Sequence, residues 1–99
     1  MTIRATLHMR VREGVGPEFE RAWHRAAGEF RHVPGNLGQE LLRDGLDYVL
    51  TSDWDSAESF RRFETSAEQD HLTAPLRALR TAAHMEVHEI VHRFDGSTS

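Results

Sequence analysis

Ninety-nine residues make one domain's worth of chain, and 38% hydrophobic with 28% charged residues suits a folded protein rather than a disordered one. A net charge of −4 with His neutral disfavours nucleic acid as a partner, because phosphate binding needs a basic face. There is no cysteine, which excludes disulfides, thiolate metal sites and cysteine nucleophiles.

Residues 3 to 12 alternate, with Ile3, Ala5, Leu7, Met9 and Val11 on one face and Arg4, Thr6, His8, Arg10 and Arg12 on the other. Period two predicts a strand with one face in the core. Gly14-Val15-Gly16-Pro17 breaks it, and Pro17 fits the first turn of a helix. Phe19, Trp23, Ala26, Ala27 and Phe30 then recur at helical spacing until Pro34-Gly35-Asn36. Leu37 to Arg43 and Tyr48 to Trp54 read as strands around an Asp44-Gly45 hairpin signal. Asp55 or Ser56 caps the next helix, which carries Phe60 and Phe63. A further helical stretch holds Leu72, Leu76 and Leu79, with Pro75 expected near its start or at a kink. Met85 to Phe94 reads as the last strand.

The order is β-α-β-β-α-β, which predicts an α+β, ferredoxin-like domain with an antiparallel sheet over residues 1–95 and a frayed tail over 96–99. Helices cover one face of such a sheet. The other carries Thr6, His8, Arg10, Glu40, Thr51, Glu86, His88 and His92 together with Leu42, Val49 and Ile90. A face this mixed predicts a homodimer packed sheet to sheet, with His8 and Arg10 meeting Glu40 or Glu86 across it. Met1-Thr2-Ile3-Arg4 shows no apolar leader, and no run of 18 apolar residues occurs, so the expectation is a cytoplasmic protein with no membrane partner.

Three segments carry a resemblance. Gly16-Pro17-Glu18-Phe19-Glu20, Val33-Pro34-Gly35-Asn36-Leu37-Gly38 and Trp54-Asp55-Ser56-Ala57-Glu58-Ser59-Phe60 are similar, in order and spacing, to the hallmarks of antibiotic-biosynthesis monooxygenase domains. The resemblance implies a dimeric α+β barrel with one pocket per subunit between sheet and helices. Members similar to this include oxygenases that form quinones from aromatic polyketides without metal or flavin; others degrade haem. It also implies that Trp54 binds or orients substrate. Two positions depart from the pattern, since Leu50 and Phe60 stand where those oxygenases carry an Asn and a Tyr. Strand one has no Asn, and Phe63 stands where the haem-degrading branch has a Trp, which speaks against haem degradation.

Cofactor-free oxygenation asks for an apolar pocket, a base or anion-stabilising donor, and exclusion of water. Leu7, Met9, Leu41, Trp23, Phe30, Phe60 and Phe63 can wall such a pocket, with Phe19, Phe30 and Phe60 read as core. Trp54 and His71 are the catalytic candidates, and Gln39, Tyr48, Trp23, Phe63 and Met9 the substrate-binding ones. His71 serves as a general base, or else as a surface residue bonded to Asp70 or Glu68. His84, His88 and His92 would stack as metal ligands on a helix, but on a strand a spacing of four sets them about 13 Å apart. No metal site is expected, and no cofactor. Glycine-rich phosphate loops, GxSxG and HExxH are absent from the sequence. Two readings remain: a cofactor-independent monooxygenase using O₂ and a small phenolic aromatic, or a non-catalytic ligand-binding or assembly module on the same scaffold.

Overall fold

The alternation of residues 3 to 12 becomes β1 (Ile3–Val11), with Ile3, Ala5, Met9 and Val11 buried under a helical layer. Pro17 lies in the first turn of α1 (Gly16–Phe30), where its missing N–H costs nothing. The buried stripe of α1 is Phe19, Ala22, Ala26 and Phe30. Trp23 and Ala27, expected within it, lie on its flank and are half-buried. β2 (Asn36–Asp44) and β3 (Asp47–Trp54) form a hairpin whose turn is Gly45-Leu46, Gly45 taking φ +62°. The Ser56 hydroxyl caps α2 (Ala57–Glu64) by accepting from the Ser59 N–H at 3.1 Å. Ser66 does the same for α3 (Ala67–Leu79) at Gln69. The computed structural model describes residues 1–96, so the tail expected over 96–99 lies, apart from Gly96, outside the described residues.

The four strands pair antiparallel in the order β2-β3-β1-β4, with the helices on one face. β4 (Arg80–Glu89) corrects the expected strand of 85–94. Arg80, the residue after α3, is already extended, so no loop separates helix from strand. At the other end Glu89 pairs with Ile3 and the Ile90 N–H reaches Thr2 O, beyond which β1 offers no partner. Pro75 lies well inside α3 rather than near its start. A proline there cannot donate to the carbonyl of His71, one turn earlier.

On the uncovered face Arg10 pairs with Asp47 of its own chain at 3.2 Å. His8 does lie 3.5 Å from Glu86, within the chain, and His84 and His88 flank the same carboxylate. Among the described residues no group of three or more His, Asp or Glu is gathered to hold a metal, and no helix is long and apolar enough to cross a membrane.

Candidate functional site

Side chains on the helix-facing side of the sheet stand in registered rows. Across β2, β3, β1 and β4, one row reads Gln39, Ser52, Ala5, Val87; the next Leu41, Leu50, Leu7, Met85; the next Arg43, Tyr48, Met9, Ala83. Above them Trp54 faces Ile3. The core divides along these rows. Ile3, Ala5 and Trp54 pack with Ala26, Phe30, Val33, Phe60, Phe63 and Leu72, whereas Met9, Val11 and Tyr48 pack with Phe19, Ala22 and Leu76. The leucine row lies between. Leu7, Leu41 and Leu50 are only half-buried and Met85 is 40% exposed. The stripe of α1 is large at both ends (Phe19, Phe30) and small in the middle (Ala22, Ala26). Leu7, Leu41 and Leu50 pack against the second of these cores, and Leu41 reaches an open cleft at the β2 edge.

Two bridges from the sheet to α1 frame that cleft. The Gln39 amide donates to Ala27 O of α1 at 3.3 Å. Four residues along, the Arg43 guanidinium and the Tyr48 hydroxyl both donate to the same carboxylate oxygen of Glu20, at 2.6 and 2.5 Å. Between these two bridges Leu41 and Trp23 line an open cleft of ≈540 Å³ with Pro17, Glu20, Arg21 and His24. The bond from Tyr48, then the guanidinium of Arg43, holds the Glu20 carboxyl below its ordinary pKa. Burial, then the bond to Glu20, pushes the Tyr48 phenol up. Since Tyr48 is the single tyrosine, its phenolate absorbance reports this cluster alone. Its titration midpoint is expected above the ordinary value of about 10, and Glu20→Gln should bring it part of the way back. The folded value is the raised one, so this contribution to stability is full below the unfolded pKa and is lost as pH rises through the folded one. An ordinary midpoint in both proteins would show that the bond is not formed in solution.

Trp23 lines this cleft, Gln39 is bonded to Ala27 O beside it, and Tyr48 is buried in the core with its hydroxyl on Glu20. Met9 is buried in the core beside Tyr48. Phe63 is buried against Trp54, the two rings stacked at 5.2 Å and 26°. Trp54 is 1% exposed and its N–H donates to Ser52 Oγ at 3.0 Å, so it is placed within the core with its donor engaged. His71 is exposed, in a shallow groove between α1 and α3 lined by Ala22, Arg25, Glu29 and Pro75. Trp54 and His71 are therefore not brought together. Glu20 and Arg43 are functional candidates that residue type and spacing did not single out. Glu20 lies three residues before Trp23, and Arg43 shares a strand face with Gln39 and Leu41. That parity was the available signal, but pairing between helix and strand is not written in either segment.

The family model described as Antibiotic biosynthesis monooxygenase matches residues 2–74. A 42.8 kDa protein in the whiE locus of Streptomyces coelicolor is 28% identical over 97 residues, which are 95% of this chain and 24% of that protein. Protein SchA of Streptomyces halstedii is 27% identical over 85 residues, 83% of this chain and 22% of that one. The chain thus spans about a quarter of the length of these curated relatives. Among solved structures, SnoaB, a cofactor-independent oxygenase from Streptomyces nogalater, superposes with a TM-score of 0.82 at 24% identity, covering 96% of this chain and 98% of that one. That likeness speaks for the fold. The heme-degrader MhuD from Mycobacterium tuberculosis, with two hemes bound in its active site, gives 0.80 at 26% identity over 94% and 99% of the two chains.

Proposed function

The chain belongs to the antibiotic biosynthesis monooxygenase family, and from that premise we propose that it oxidises a phenolic, polyketide-type aromatic with O₂ and without metal or flavin. The observation that carries this reading is the leucine row. Its leucines are half-buried, and Leu41 lines with Trp23 an open cleft that could seat an aromatic ring, with the ionised carboxylate of Glu20 beside it. An anthrone that loses a proton becomes an electron-rich enolate able to pass an electron to O₂ by itself. Overall its CH₂ carbon and O₂ become a carbonyl and water, so no further reductant is needed. The protein's part is to seat the ring and keep water away. Glu20 lies beside the row, but the bonds from Tyr48 and Arg43 that hold its carboxyl below the ordinary pKa make it a weak proton acceptor. His71 opens onto the groove between α1 and α3.

The test is oxygen uptake by metal-free protein supplied with an anthrone. Turnover above the uncatalysed rate is expected. Glu20→Gln should lower it by about tenfold or less, below the scale of a well-matched general base, and His71→Ala should leave it unchanged. A fall of about a hundredfold or more in either variant would identify that residue as the base, and no uptake at all would sink the reading. A second reading, a non-catalytic ligand-binding module, is favoured by Leu50 itself. That position sits mid-row, faces the helices, and carries no group that could move a proton or hold an anion. We also propose a homodimer joined through the uncovered sheet face, where Leu42 is 46% exposed and Val49 and Ile90 are half-buried. A monomer by sedimentation at micromolar concentration would contradict it.

A further inference from the structure

We propose that the indole N–H of Trp23 is the donor that anchors an acceptor oxygen of the aromatic ligand proposed above. The inference rests on the row being the ligand site. Trp23 Nε1 is buried, and no acceptor partners it among the described residues. Native proteins keep few such donors, because a buried N–H without a partner loses its hydrogen bonds to water and gains none. The other indole shows the contrast, since Trp54 Nε1 donates to Ser52.

Gln39 is spent on Ala27 O, and Arg43 and Tyr48 converge on Glu20, while Arg21 and His24 also line the cleft. An acceptor oxygen of the ligand would find at Trp23 an N–H that lacks only an acceptor. Indole nitrogen donates and cannot accept, so the ligand atom must be an oxygen with a free lone pair. Trp23 is half-buried, and its ring lines the open cleft together with Leu41. A ligand entering that cleft over Leu41 comes against the Trp23 ring.

Equilibrium dialysis with two probes of the same ring skeleton tests this. 9,10-Anthraquinone carries acceptor oxygens and anthracene carries none. Wild-type protein should bind the quinone about tenfold more tightly than the hydrocarbon, the worth of one hydrogen bond in a dry site. Trp23→Phe keeps an aromatic wall and deletes the donor. It should abolish that preference, leave anthracene binding unchanged, and leave the melting temperature unchanged or higher, since an unpartnered donor has been removed. Three results would overturn the proposal: no preference in the wild type, a preference that survives Trp23→Phe, or a Trp23→Phe protein that melts several degrees lower. Failure of the functional reading is separately visible. A Trp23-dependent preference without oxygen uptake leaves the anchor standing and removes the oxygenase. Oxygen uptake with a preference that ignores Trp23 does the opposite.

Discussion

Trp54→Ala is expected to cost the fold about 3–5 kcal/mol, the scale for truncating a fully buried aromatic. The side chain is 1% exposed and closes the end of β3 against Ile3. Its ring stacks on Phe63 at 5.2 Å and meets Phe60 at 5.7 Å. Removing it opens a cavity bounded by two other aromatic rings, which cannot collapse without pulling α2 toward the sheet. For a chain of this length such a loss lowers the melting temperature by roughly 15 °C or more. Trp54→Phe keeps most of the contact and gives up the bond to Ser52, for about 1–2 kcal/mol. Calorimetry on both variants checks the ranking. An alanine variant as stable as the phenylalanine one would show that Trp54 is not holding α2 to the sheet.

Gly35→Ala is the second large effect. Gly35 takes φ +88°, a backbone region that side chains rarely enter, and a Cβ built there would stand 2.5 Å from Ser59 Cβ and 2.6 Å from its Oγ. The Asp55 carboxylate would be 3.0 Å away as well. Nor can the loop swing clear, because the Asp55 N–H donates to Gly35 O at 2.9 Å. Strain and overpacking together should cost about 2–5 kcal/mol. Gly28→Ala, where a new Cβ meets nothing within 4 Å in the last turn of α1, should be neutral or stabilising. Urea denaturation of the two variants measures the difference, and equal midpoints would contradict the account of the turn.

That contact explains why two short motifs far apart in the chain signal one fold. The Pro34-Gly35 turn and the Trp54-to-Phe60 step meet at Ser59 and Asp55, so each needs the other's small or capping residue. β1 and the parity of β2 and β3 were legible from alternation alone, because one face of each strand packs under the helices. The start of β4 was not, since Arg80-Thr81-Ala82-Ala83-His84 lies at a sheet edge that the helices leave open and carries no apolar alternation. Ala22 and Ala26 read as ordinary helix formers, yet both are buried, one in each half of the core. Which strand row lies beneath a given helical turn depends on docking, and that is not encoded within either segment. For the same reason Trp54 drew attention as a strand-end aromatic, while Glu20 and Arg43 passed as solvated charges until the fold set them on one oxygen.

Labelling with ¹⁸O₂ tests the proposed oxygenation most directly. Metal-free protein should convert an anthrone into a quinone that carries one ¹⁸O atom, with the second atom leaving as water, at a rate above the protein-free control. A quinone formed no faster than in that control, or one whose new oxygen comes from solvent, would contradict it.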